Sequence, residues 1–373
     1  MIRLTIRVKE LWIYPLKGAQ GVRVNELKFS QHGLIGDRRF VVVNEAGMFV
    51  AQRGERGRGI AIPEMALVRV TLTRDHYVFD APGMSSLRIP VLGFGGAETT
   101  VQIWDEHVPA MDLGIAANAW FTRYLDQFKP GNYRLVRMPE ASRTTPAGEN
   151  WSGFADSYPV LGISQESLDY LNSLLAAKWV EPLDWPQFRP NVVWAWEPDT
   201  ADKPLPFWED DVEFVVTPGQ TLHAKTRCAR CIVTTINQQT LERGREPLLT
   251  LREFRQDPEG NKVYFGRNLH NLGSGSIRVG DPVYLHHVPL TRSRVWLIAA
   301  ADHLSDNQRA RLAKVTVYRR GRLFTFRYPG LGKLVLESGL VHSPVAGDVN
   351  ERWFSNLLAP GQTQGYRLVR RPN

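Results

Sequence analysis

Cysteine is almost missing from this chain. Among 373 residues there are two, Cys228 and Cys231, both inside TRCARCIVTT (226–235). Two thiols three apart cannot staple a chain of this length, which points to a reducing, cytoplasmic setting. Long apolar runs are missing as well: none approaches the roughly 18 residues that a membrane span needs, so no membrane partner is expected. The opening MIRLTIRVKELWIYPLKG scatters cations among its apolar residues and holds no uninterrupted apolar core of signal-peptide type. Acidic residues fall short of basic ones, 38 against 46, and the net charge of +8 suggests anionic partners. Nucleic acid, a small phosphate-bearing ligand and a merely solvated basic surface all satisfy that charge.

What is present describes an ordinary globular protein, 43% hydrophobic and 23% charged, long enough for two or three domains. The first 100 residues alternate apolar and polar positions between glycines. RLTIRVKELWIY, RRFVVVNEAGMFVAQ, ALVRVTLTRDHYVFDAPG and TTVQIWDEHVPAMD read as short strands. Asn44-Glu45-Ala46-Gly47 reads as a four-residue hairpin loop. Over 114–128 the spacing turns helical, with Ala117, Trp120, Phe121 and Tyr124 on one face, and YRLVRM returns to strand. A polar, proline- and glycine-rich stretch at 139–159 reads as a linker or site loop. SQESLDYLNSLLAAKW follows as a helix with Ser164 as its N-cap, and strands dominate 212–285. The class is mainly β with some α, beginning with a barrel-like domain over 1–140.

An internal repeat marks the end of the chain. WFTRYLDQFKPGNYRLVRMPE (120–140) matches WFSNLLAPGQTQGYRLVRRPN (353–373), and VRVTLTRDHYVFDAPG resembles VTVYRRGRLFTFRYPG. Residues 288–373 are therefore expected to form a β-rich domain that partly repeats 62–140.

Four readings compete for the two thiols. A structural zinc site needs four ligands, and His223 is the sole nearby histidine. A dithiol exchange pair should open a helix, whereas the β-branched CIVTTIN suits a strand. Buried, inert cysteines are the third reading. The fourth is one thiolate on a soft metal, because Lys225, Arg227 and Arg230 favour the ionised thiol. Guanidinium groups also match the phosphate of an anionic cofactor. Lys17, Arg38 and Arg189 are further cations in loop-like or strand-end contexts. Arg189, preceding Pro190, is expected to be extended, and Asn191 offers two donors and an acceptor to a polar ligand.

Taken in order, LWIYPLKG (11–18), GDRRFVVVNEAG (36–47), FADSYPVLGISQESLDYLN (154–172), FRPNVV (188–193), RCARCIVTT (227–235), EPLLTLREFR (246–255) and IRVGDPVYL (277–285) resemble the MOSC superfamily. The likeness is to its amidoxime-reducing branch and the bacterial relatives that reduce N-hydroxylated compounds. The resemblance implies a MOSC β-barrel domain over 141–287 and a molybdenum–molybdopterin cofactor. It implies Cys231 as catalytic thiol and metal ligand, following Arg230 in the family's R-C-[IL]-x-T-T string. Lys17, Arg38, Arg189 and Asn191 fall on cofactor-pocket motifs, with Asp37, Ser157 and Arg230 beside them. The implied reaction is reductive N–O cleavage of hydroxylamines, amidoximes and N-hydroxylated bases, in a detoxifying role, with electrons from an external flavin or iron–sulfur protein. Some relatives carry their own iron–sulfur domain. Residues 287–373 hold no cysteine, which excludes such a cluster there. The basic KVTVYRRGRLFTFR either docks an acidic electron donor or belongs to a structural appendage. Two rival functions stay open, sulfur transfer through a Cys231 persulfide and, less favoured, nucleic-acid binding.

Overall fold

Strand β1 (Ile6–Ile13, IRVKELWI) buries Ile6, Val8, Leu11 and Ile13 and leaves the residues between them more exposed. One face of this strand looks into a core and the other is partly solvated. The computed structural model describes residues 6–31, 33–92, 96–139, 143–144, 150–151, 153–197, 206–257, 260–287, 291–292, 295–299, 316–320, 323–328, 332–337 and 366–370. They divide into two units, 1–286 and 287–373.

In the first unit, β2 (Phe40–Asn44), β3 (Phe49–Ala51), β4 (Ala97–Ile103), β5 (Glu106–Asp112) and β6 (Tyr133–Arg137) form one sheet in the order β4-β5-β6-β2-β3. An interior strand, β2, reads FVVVN without alternation because both faces are covered. Phe40 and Val42 pack into one apolar cluster, Val41 and Val43 into another. Helix α1 (Ile115–Leu125) seals the first cluster with Ala117, Trp120, Phe121 and Tyr124, the face its spacing predicts. The β2–β3 turn is the expected four-residue loop: Asn44 N donates to Met48 O (3.0 Å), and Gly47 supplies a φ of 76°.

The second sheet closes on itself. Strands β7 (Val160–Ser164), β8 (Val192–Trp196), β9 (Val212–Thr217), β10 (Gln220–Ala229), β11 (Tyr264–Asn271) and β12 (Pro282–His287) join β1 in the order β8-β7-β11-β10-β9-β12-β1, and β1 pairs back onto β8. A closed sheet leaves no unpaired edge. Strand β1, from the segment expected to form the N-terminal barrel, thus supplies a stave of this one. The interior is tight: a Cβ on Gly162 of β7 would lie 2.1 Å from the Trp194 ring. Glycine here allows the two strands to carry a buried tryptophan between them.

Helix α2 (Gln165–Ala176) starts as expected, with Ser164 Oγ accepting from Ser167 N at 3.2 Å. The structure adds a buried carboxylate to this cap. Ser164 Oγ and Ser167 Oγ both donate to Glu209, each at 2.8 Å. Burial, and then the neighbouring Asp210, push Glu209 up to about 7. A folded-state value above the unfolded one means stability present below about pH 4.5 and lost as pH rises towards 7. Glu209→Gln should therefore flatten the dependence of Tm on pH across that window; an unchanged slope would place the titration elsewhere.

Two local expectations are corrected. CIVTTIN does not continue as a strand: Ile232–Thr235 is a single 3-10 turn with Cys231 as its N-cap residue. The threonines cause this, since Thr234 Oγ1 donates to Cys231 O (2.9 Å) and Thr235 Oγ1 to Ile232 O (2.8 Å). Side-chain hydroxyls compete with the sheet ladder for those carbonyls. Arg189 is not extended either. It caps α3 (Trp185–Phe188) in the left-handed region, with φ 58° and its N–H donating to Trp185 O at 2.9 Å. Pro190 disfavours the right-handed helical region for Arg189, and the helix-capping N–H bond to Trp185 O accompanies a left-handed backbone instead of an extended one.

In the second unit, Thr316–Arg320, Leu323–Tyr328 and Gly332–Glu337 form an antiparallel meander. Arg69–Leu72, His76–Asp80 and Leu87–Pro90 form one in the first unit. Tyr366–Arg370 pairs with Val295–Ala299 over five residue pairs, as β6 pairs with β2. The rest of the repeated block, 353–365 and 371–373, lies outside the described residues. Among the described residues, no helix is long and apolar enough to cross a membrane.

Candidate functional site

Several segments of the first unit converge on one cavity of about 660 Å³: the loop between β1 and β2, the end of β3, Trp104, the 155–158 loop, the FRPN turn, the end of β10 and the turn after it with the two thiols, and the start of β11. Seven of the eight residues singled out from sequence line it: Lys17, Arg38, Ser157, Arg189, Asn191, Arg230 and Cys231. The eighth, Asp37, is buried behind the wall and holds it together.

Asp37 accepts from Tyr14 N (2.8 Å), Arg38 Nη1 (2.7 Å) and Asn191 Nδ2 (3.0 Å). Burial pushes its carboxyl up, against the pull of Arg38. Asn191 also donates to Trp12 O (3.1 Å) and accepts from Arg38 Nη1 (3.2 Å) and Leu161 N (3.1 Å). These four bonds use the hydrogen-bonding capacity of its amide, so Asn191 orients Arg38 instead of offering free donors. Arg38 and Arg189 each place a guanidinium carbon 4.3 Å from the Tyr14 ring centroid. Both have left-handed backbones, φ 43° and 58°, which non-glycine residues adopt at a cost that functional sites often carry. Burial, then repulsion from Arg38, brings Arg189 down to about 10. The one acceptor its guanidinium meets among the described residues is a carbonyl, Ala19 O at 2.6 Å. Two cations held together against the single buried carboxylate of Asp37 leave a demand for a further anion.

Also in the lining, Lys17 is buried and donates to Phe154 O (2.9 Å) and Asp156. Asp156 also accepts from Trp104 Nε1 at 2.9 Å. Desolvation would raise Asp156, but attraction to Lys17 wins and holds it well below the usual carboxylate range. Ser157 is exposed beside it. Asp156 and Trp104 were not singled out from sequence. Asp156 opens the D-x-x-P string that contains Ser157, so its signal was present; Trp104 had none.

Both thiols are half-buried and free. Arg230 Nη2 donates to Phe188 O (2.6 Å) and Nη1 points at Cys228 Sγ (3.2 Å), while its buried Nε has no partner among the described residues. No group of three or more His, Cys, Asp or Glu side chains that could hold a metal occurs among them. The zinc reading therefore lacks its ligands here.

The family models match on both sides of this cavity: the MOSC N-terminal beta barrel domain over residues 5–127 and the MOSC domain over 149–284. The chain belongs to the MOSC family. Its relatives include mitochondrial amidoxime reducing component 2 of Rattus norvegicus, 33% identical over 304 residues, covering 74% of this chain and 82% of that protein. Mitochondrial amidoxime-reducing component 1 of Homo sapiens is 31% identical over 298 residues, with 74% and 82% covered. The MOSC cavity fits an anionic cofactor carrying a soft metal. Its cations outnumber its carboxylates, a buried guanidinium nitrogen awaits an acceptor, and the half-buried Cys231 thiol faces the same space.

Proposed function

We propose that this MOSC protein is a molybdenum-cofactor-dependent reductase that converts N-hydroxylated compounds to amines. The reading rests on one observation above all: two half-buried thiols, Cys228 and Cys231, share a cavity with converging cations whose carboxylate partners are too few, and Cys231 is the one that follows Arg230 in the family's string. The names of the relatives supply the substrate class, amidoximes. The bound cofactor would supply an oxygen-atom acceptor and two electrons.

The chain's own residues would do the rest. Arg38, Arg189 and Arg230 hold the anionic tail, with guanidinium donors matched to phosphate. Asp37 and Asn191 fix Arg38, and the Tyr14 ring supports both arginines. Cys231 binds the metal, its backbone pinned by the Thr234 hydroxyl. Lys17 and Trp104 hold Asp156 ionised in the cavity lining, where it can accept a hydrogen bond from a substrate N–OH or amidine nitrogen. Reducing equivalents come from an external flavin or iron–sulfur protein. The concave arrangement suits a small anionic ligand and not the backbone of a duplex.

Protein purified from cells able to make molybdopterin should reduce benzamidoxime to benzamidine with a chemical reductant. Molybdenum-free protein that instead carries a persulfide on Cys231 and transfers its sulfur would establish the rival reading.

A further inference from the structure

A second pair of cations lines the same cavity and takes no part in the network around Tyr14. Arg227, near the end of β10, lies directly across from Arg267 on β11. Like charges placed opposite each other in a sheet are unfavourable. Arg267 has compensation: burial and Arg227 lower it, and the buried acids Asp210, Asp211 and Glu209 oppose them. Arg227 forms no ion pair with any described residue. Its guanidinium carbon sits 4.2 Å from the Tyr264 ring centroid, and Tyr264 is anchored by donating its hydroxyl to Asp257 at 3.0 Å. Lys262, two residues before Tyr264, lines the same cavity, exposed and likewise without an ion pair among the described residues.

The fold gains nothing evident from placing Arg227 there. A guanidinium held over an anchored ring keeps N–H donors available to a further ligand, and its fork suits a carboxylate or phosphate. The two cation sets occupy different elements: Arg38 and Arg189 at Tyr14, Arg227 and Lys262 at Tyr264. We propose that Arg227, Lys262 and Tyr264 form a subsite for an anionic substituent of the substrate, a carboxylate or phosphate monoester carried beside its N-hydroxyl group. The inference rests on the reductase reading for its substrate and names the class of N-hydroxylated compound preferred.

The test uses the cofactor-loaded full chain and three probes: benzamidoxime and its 4-carboxylate and 4-phosphate derivatives. The protein should favour at least one charged probe over the neutral one by about tenfold in kcat/KM. Arg227→Gln should cut that ratio about tenfold, and the exposed Lys262→Gln, which has little bearing on folding, by severalfold. A preference for one charged probe identifies which anion the subsite takes. Ratios that do not move in either variant, or a wild-type protein indifferent to charge, would overturn the proposal. Binding of the same probes, followed by tryptophan fluorescence, gives an independent readout. If none is turned over, the reductase reading falls, while tighter binding of a charged probe that Arg227→Gln abolishes still supports the subsite.

Discussion

Cys231→Ser is expected to abolish turnover of N-hydroxylated substrate, by at least about a hundredfold, while the protein stays folded. Losing a partner that merely orients a metal ligand already costs about 10–100-fold in metal affinity or activity, and Cys231 is the proposed ligand itself. Serine keeps the shape of the side chain but offers a hard, weakly acidic oxygen that a soft centre binds poorly. The fold should tolerate the change because the local turn is held by backbone and threonine hydroxyl bonds, Thr234 N to Cys231 O at 3.2 Å and Thr234 Oγ1 to the same carbonyl. A thermal unfolding scan and a circular dichroism spectrum close to wild type would accompany the loss of activity. Undiminished reduction of benzamidoxime by the serine variant would remove the thiol from the mechanism.

The second large effect is on stability. Asp37→Ala leaves the Tyr14 N–H, the Arg38 guanidinium and the Asn191 amide without their shared acceptor, in a wall that is mostly sealed from water. Removing one partner of a buried ion pair typically costs about 3–5 kcal/mol. In a unit of this size that lowers Tm by roughly 10 °C. Function should fall with it, because Arg38 would no longer be held against Tyr14. Differential scanning calorimetry measures the first effect and cofactor content the second. A drop of less than about 2 °C would mean that Asp37 is not the keystone of this wall.

Much of the site was legible in the sequence. Lys17, Arg38, Arg189 and Arg230 stand out through the resemblance to MOSC motifs, and their residue types suit an anionic ligand. Their assembly in one cavity with Cys231 follows from the strand order that brings β1, β8 and β10 into a single closed sheet. Local conformation was less legible. CIVTTIN carries β-branched residues that favour strands, yet hydroxyl bonds to the nearby carbonyls turn it into a 3-10 cap. Arg189 illustrates the same limit: a proline excludes one conformation without choosing among the others. Asn191 was legible as a site residue but not in its role, because its partners Trp12, Asp37 and Leu161 are remote in sequence. Trp104 could not be found from sequence, since its contact with Asp156 spans 52 residues and follows no motif.

The most direct test is molybdenum K-edge X-ray absorption on protein purified from molybdopterin-competent cells, beside its Cys231→Ser variant. About one molybdenum per chain, with one sulfur neighbour fewer when Cys231 is replaced, is the predicted result. A metal-free wild-type protein, or identical sulfur coordination in the two proteins, would contradict the account.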